Sequence, residues 1–423
     1  MTKLTRLCLL FSAYLFTPGL AVAQQYFDPG LLQKTIDRKP AEFVAKGVRM
    51  GSFILNPGIE LAYESNDNIF YLPNNFEISD NIMHTRPWLN LNSDWNRHQL
   101  SINAMADFGR YSDFGSENYD DWVVNLDGRF DVKRGSFLDY SAAYLNLHED
   151  RSDPNGRGGI HPTEFDMTNY GVGYTHTFNR LAATLDFRSS EFDYKNNINL
   201  EGEVLDNQDR DRTQDHLGLR LAYELSDQNG VFFAIIGNDL DYDQKVDNQG
   251  YLRSSDGYEL QLGASWDMTG LLVGDVYLAY FDQDYDDPRF NNVDGVRLGA
   301  SLDWTPTELT NVNVRFANGT QATTQEGSSG YLSSLYSVRI QHELLHNFLA
   351  NARFSYTDND YQNNDIPGSL SKTKVTRAGV GLSYLLNRNV YFSGGYIYEK
   401  QNANLDRFNY RTNRWFITVG AEF

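Results

Sequence analysis

From Gly51 to Phe423 the chain alternates apolar with polar or small residues, segment after segment. No long stretch keeps the 3.6-residue period of a helix. Leu217, Leu219, Leu221, Tyr223 and Leu225 share one face against Gly218, Arg220, Ala222 and Glu224; Val296, Leu298, Ala300, Leu302 and Trp304 repeat the pattern against Arg297, Gly299, Ser301 and Asp303. Successive strand side chains point to opposite faces, so each segment has one apolar and one charged or small face. A soluble sandwich shows the same alternation with its apolar face turned inward, so the spacing of the connections has to decide. Short turns at Trp95–His98, Lys133–Gly135, Asn179–Arg180, Ser226–Gly230, Met268–Gly270, Thr305–Glu308, Leu345–Asn347 and Asn387–Asn389 alternate with longer polar gaps at 66–79, 112–117, 150–163, 195–210, 244–253, 285–292, 323–329, 362–372 and 404–408. Strict alternation of tight turns and longer loops is the pattern of an all-β transmembrane barrel, antiparallel and up-and-down, with periplasmic turns and extracellular loops. A propeller would not require it. The count is about eighteen strands, an even number inside the ~8–26 range of such barrels.

Composition closes off the alternatives. With 56 Asp+Glu against 36 Lys+Arg the net charge is −20, which excludes a nucleic-acid partner, because phosphate binding needs clustered basic residues. No stretch beyond the N-terminus approaches the ~20 apolar residues of a spanning helix. The 27 Tyr and 26 Phe are too many for a disordered chain.

Residues 1–23 read as a secretory signal: Lys3 and Arg6, an apolar run Leu7–Phe16, and Ala21-Val22-Ala23 before Gln24. The sole cysteine, Cys8, lies inside it, so the mature chain has no thiol chemistry. Residues 24–50 read as a periplasmic N-terminal segment, either a tail or a partial plug, with a short helix opening at Asp28-Pro29; 51–423 is the barrel. The last strand, Trp415, Ile417, Val419, Ala421 and terminal Phe423, resembles the C-terminal insertion signal of outer-membrane barrels. Trp122, Phe130, Tyr223, Trp266, Trp304, Tyr384 and Trp415 suit interfacial girdles. These features place the chain in the outer membrane of a Gram-negative cell.

Two motifs suggest metal chemistry. His342-Glu343-Leu344-Leu345-His346 matches the H-E-x-x-H zinc pattern, which works when a helix sets both histidines on one face. On a strand, i and i+4 lie ~13 Å apart, too far to share a zinc bound at ~2 Å. Asp239, Asp241 and Asp243 open like a calcium loop, but Gln244 stands where the sharp turn wants Gly. Neither carries a metal site, and no catalytic set or cofactor motif is expected.

The informative surface is the lumen. A lipid-facing charge at mid-depth costs ~2–4 kcal/mol, so the polar face turns inward. That places Arg129, Arg188, Arg220, Arg297, Arg315, Arg339, Arg353 and Arg377 along the channel with Asp186, Glu224, Glu259 and Asp303, joined by Asp127, Asp131, Asp267 and Glu343. The plain reading is that many of these charges pair and stiffen the wall; the functional one is a charge-striped aqueous pore, which barrels of ~16–18 strands are wide enough to hold.

The opening Gly51-Ser-Phe-Ile-Leu-Asn-Pro-Gly, followed by Tyr63, Asn66, Asn68, Ile69 and Phe70, resembles the start of the putative beta-barrel porin 2 family. Its members are often encoded beside exopolysaccharide or capsule genes. The resemblance therefore implies export of polysaccharide, with outer-membrane lipid, the polysaccharide or another polar solute, and periplasmic export components as partners. Two rivals remain: a general diffusion or nutrient-uptake porin, which predicts an inward-folded constriction loop, and a plugged structural barrel or barrel enzyme.

Overall fold

The computed structural model describes residues 38–268, 270–363 and 366–423. The signal sequence and the helix expected at Asp28-Pro29 lie outside the described residues. The strands are β1 (Val48–Met50), β2 (Phe53–Asn66), β3 (Asp80–Ser93), β4 (Gln99–Tyr111), β5 (Tyr119–Lys133), β6 (Ser136–His148), β7 (Glu164–Phe178), β8 (Leu181–Tyr194), β9 (Asn197–Ile198), β10 (Val204–Leu205), β11 (Arg212–Ser226), β12 (Asn229–Tyr242), β13 (Ser255–Met268), β14 (Leu272–Tyr285), β15 (Val293–Thr307), β16 (Thr310–Gln321), β17 (Gly330–Leu345), β18 (Phe348–Gln362), β19 (Lys372–Leu385), β20 (Val390–Ala403) and β21 (Tyr410–Glu422). Each long strand pairs antiparallel with its sequence neighbours, and β2 pairs with β21 from Gly58↔Glu422 to Asn66↔Arg414. Eighteen long strands thereby close into a barrel, which leaves few sheet edges that lipid could not hydrogen-bond. β1 folds back on β2, Val48↔Leu55 to Met50↔Phe53, and covers the part of β2 beyond the reach of β21. β9 and β10 form a small hairpin in the loop between β8 and β11.

Strand ends fall within a residue or two of the expected gaps, because the polar clusters that break alternation are also the residues that bend backbone. Asn179 and Gly135, at φ 59° and 76°, take the left-handed conformation that two-residue hairpins demand. Ile59, Leu61 and Tyr63 on β2, Leu217, Leu219 and Leu221 on β11, and Ile417 and Val419 on β21 are exposed on the outer face. Between them Glu60, Ala62, Glu64, Arg220, Ala222 and Thr418 are buried on the inner one. Trp122, Phe130, Tyr223, Trp304, Tyr384 and Trp415 all face outward. On the inner wall large rings cover glycines: a Cβ on Gly58 would lie 2.0 Å from the Trp88 ring, so the residue there must lack one.

The lumen is less uniformly polar than alternation predicts. Val123, Leu145, Leu147, Phe165, Met167, Phe192 and Tyr194 form one buried apolar cluster on the inner faces of β5–β8, toward the long-loop end. Phase is kept on these strands, but both faces are apolar.

Candidate functional site

Inside the barrel, acids and bases interlock. Arg86 on β3 bonds Asp107 on β4 at 3.0 Å and Glu60 on β2 at 3.2 Å; Asp107 also meets His84 at 3.2 Å, and the Tyr391 hydroxyl donates to Glu60 at 2.9 Å. Glu399 on β20 gathers Arg377 at 2.9 Å, Arg414 at 3.4 Å and the Tyr410 hydroxyl at 2.7 Å. Buried charges survive only with such partners, and these pairs tie neighbouring strands into a stiff wall.

The residues expected from the sequence to line the channel have these neighbours. Arg188 bonds Asp186 at 3.2 Å, and Arg129 bonds Asp139 at 2.7 Å with its guanidinium 4.1 Å from the Phe137 ring centre. Arg297 bonds Glu259 at 2.7 Å and lies 3.6 Å over Phe281, while Arg220 lies 3.7 Å over Phe232. Arg339 and Arg353 sit directly opposite one another across β17 and β18; Arg315 is opposite Ser337, and Arg377 opposite Ser355. Asp303 accepts from Asn313. Asp127 accepts from Asn125 at 2.7 Å, while Asp131, Glu224, Asp267 and Glu343 lie near the short-turn end. Glu60, Arg86, Asp107, Asp139 and Glu399 escaped the sequence reading, although Glu60, Asp107 and Asp139 alternate with apolar neighbours in the same way. Five arginines (297, 315, 339, 353, 377) thus lie on consecutive strands β15–β19, while on β2–β6 Glu60, Glu64, Asp107, Asp121 and Asp139 are interleaved with Arg86 and Arg129.

The long-loop end is bridged. Loop 149–163, between β6 and β7, folds over the mouth and meets loop 322–329, between β16 and β17, eight strands away around an eighteen-strand ring. The Thr323 hydroxyl donates to Asn155 Oδ1 at 2.7 Å, the Thr324 amide donates to the same oxygen at 3.1 Å, and the Gln325 side chain donates to the Pro154 carbonyl. The strap is held along its length. Glu149 pairs with Arg210, both buried; Tyr71 donates to Asp150 at 3.1 Å; Arg151 pairs with Glu117 at 2.7 Å; Arg157 pairs with Asp209 at 2.6 Å. On the far side Arg253, 2% exposed, bonds Asp247 at 2.8 Å and the carbonyls of Thr323 at 3.1 Å, Gln325 at 3.3 Å and Ser328, fixing the landing point. Burial and the neighbouring Glu149 push the Asp153 carboxyl up to about 6, against the pull of Arg210. The Arg289 hydrogen bond holds Asp287 well below the usual carboxylate range.

The short-turn end is narrowed as well. Residues 38–46 enter it: Arg38 and Gln341 exchange backbone–side chain hydrogen bonds at 3.1 and 2.5 Å, Lys39 pairs with Glu422 at 2.5 Å, and Phe43 packs on Leu349, Leu385 and Tyr391.

The metal-like motifs dissolve. His342 is on β17 and meets the Thr310 hydroxyl at 2.9 Å; His346 is in the following turn and meets Glu343 and Glu42. Asp239 and Asp241 lie on β12. Among the described residues no group of His, Cys, Asp and Glu could hold a metal ion.

No curated protein sequence matches the chain. Its shape is similar to three Pseudomonas aeruginosa proteins of solved structure: OccK9 (OpdG), TM-score 0.45 at 12% identity over 88% of this chain and 98% of that one; OpdO, 0.45 at 12% over 88% and 97%; and OpdL, 0.43 at 11% over 88% and 99%. The family model described as "Putative beta-barrel porin 2" matches residues 39–423. The chain belongs to that family of outer-membrane β-barrel porins.

Proposed function

We propose that the barrel is a passive channel for small polar solutes, working in the direction of diffusion or uptake. The observation that carries this is the strap. A loop pinned nearly across the mouth at Asn155 and Thr323 is the inward-folded constriction that a diffusion porin predicts. Export of polysaccharide, which the family resemblance implies, is not supported: a long polymer would have to pass a mouth divided by buried ion pairs and hydrogen bonds. Arginines on the consecutive strands β15–β19 support a preference for anions along that wall. The sixteen lumen residues named from the sequence act in this reading as a charged wall, and none as a catalyst.

The test is planar-bilayer conductance of the refolded, signal-free protein, with reversal potentials in a salt gradient and liposome swelling with sugars of rising size. Steady conductance with a sharp size cut-off and no block by acidic polysaccharide supports the reading. A silent barrel, or one that conducts only when polysaccharide is threaded, would overturn it.

A further inference from the structure

One seam of the wall does not close. β15 and β16 pair from Ala300↔Phe316 to Trp304↔Val312 and again at Thr307↔Thr310, but the ladder stops there. Residues 293–299 of β15 and 317–321 of β16 extend toward the long-loop end without facing each other, although β15 remains paired with β14 and β16 with β17. Other ladders also end short, β2–β21 at Asn66↔Arg414 and β5–β6 at Trp122↔Asn146, and β3–β4 skips two residues beside Pro87, but here seven consecutive residues of β15 face no partner on β16.

The sequence gives a reason. Continuing the register of Ser301↔Arg315 would set Leu298 against Asn318, Arg297 against Gly319 and Val296 against Thr320. Asn-Gly is a turn dipeptide with poor strand propensity, and Asn and Thr next to Leu and Val form no apolar outer pair. The end of the β16–β17 hairpin instead tucks inward: a Cβ on Gly330 would lie 3.0 Å from the Tyr285 hydroxyl of β14, two strands away. Above it Asn291 and Asn363 exchange hydrogen bonds at 3.0 and 2.8 Å, so the loops on either side join over the tucked hairpin as a lintel.

The opening lies at membrane depth. Leu298 is opposite Leu278 and Val296 opposite Tyr280, all exposed in the outer apolar band. Unpaired backbone in lipid costs several kcal/mol per group and is kept only where it lines a route or cavity. The outer lip is apolar on its β15 side, with Val296 67% exposed, and carries Asn318 and Thr320 on its β16 side. The inner lip is cationic: Arg297 reaches the Thr320 hydroxyl through the seam, and its buried Nε makes no hydrogen bond.

We propose that the β15–β16 seam is a lateral portal joining the lumen to the outer leaflet, and that it takes single-chain amphiphiles with an anionic head, the head at Arg297 and Thr320 and the alkyl chain between Val296 and Leu298. This goes beyond vertical diffusion through the lumen and does not depend on it.

Two measurements in lipid nanodiscs test it. Amide exchange should be fast for the alternate amides of 293–299 and 317–321 that point into the seam, and slow for those paired with β14 or β17 and for the fully paired β13–β14. A twelve-carbon carboxylic acid with a diazirine at its alkyl end should photolabel the seam, while its neutral N-methylamide labels it weakly. Arg297→Gln should lower carboxylate labelling about tenfold or more, the effect of losing one hydrogen bond to a charged group, and Arg297→Lys should restore much of it. Seam amides as protected as those of β13–β14 would overturn the portal. So would labelling that ignores the head-group charge. Ion conductance, recorded on the unsubstituted protein, reports on the vertical channel alone, so the two readings fail separately.

Discussion

Removing the strap's central contact is the sharpest test of how the mouth works. Asn155 Oδ1 accepts two hydrogen bonds, from the Thr323 hydroxyl at 2.7 Å and the Thr324 amide at 3.1 Å, and no covalent link joins the two loops there. Each such bond is worth ~0.5–1.5 kcal/mol net, so Asn155→Ala removes about 1–3 kcal/mol of strap closure. That raises the ratio of released to strapped mouths by roughly 5- to 150-fold. The root of the strap is untouched, because Glu149–Arg210 and Arg151–Glu117 lie on its own side of the barrel. Single-channel records should therefore gain brief excursions to higher conductance, and liposome swelling should admit larger sugars, while the barrel's heat-modifiable migration in gels stays unchanged. Adding Gln325→Ala, which removes the bond to the Pro154 carbonyl, should extend both effects. If the double variant kept the wild-type current noise and the wild-type size cut-off, the strap would not be the constriction, and the argument from its geometry would fail.

Further predictions follow from burial and charge. Arg253→Met leaves Asp247 buried without its cation, which costs ~3–5 kcal/mol locally; protease should then nick 322–329 while the strands stay protected. The Asp153 carboxyl titrates near 6, above its ordinary value, so the folded strap binds the proton more tightly than the released one. Strap stability is thus full below the ordinary carboxylate value and falls as pH rises through about 6; released-state excursions should be rarer at pH 5 than at pH 7.5, and Asp153→Asn should flatten that dependence. On the outer face Leu262, 67% exposed, should lose ~2–4 kcal/mol as Leu262→Arg, measured by urea unfolding in lipid, whereas Gln261→Arg on the inner face should cost far less.

Strands and their facing were legible because alternation is local: Leu217 to Leu225 states which face meets lipid without reference to any other strand. The arginines followed from the same rule. Their partners did not, since Arg377 meets Glu399 and Arg86 meets Glu60 through strand register, which one strand does not encode. The strap was legible only as a gap of suitable length; nothing near Asn155 announces Thr323, because the contact spans half the barrel. The apolar lining of β5–β8 does leave a trace, as Leu145-Asn146-Leu147 and Phe165-Asp166-Met167 put their large residues inward, and the resemblance to a polar pore hid it. The open seam has its own trace in Asn318-Gly319, a turn signal inside what counts as a strand.

The pairing of β2 with β21 also sets an order of assembly. Gly58 finds its partner only when Glu422 has been made, so the first strand of the ring stays one-sided until the last has left the ribosome and crossed the inner membrane. Through that interval the sticky outer faces have no lipid and the long-range closure has not yet repaid its entropy, which makes ring formation the slow step. A chain cut short anywhere in β21 would be more than a shorter pore: it would be an open sheet with two exposed margins, a substrate for periplasmic chaperones and proteases before it could become a membrane protein.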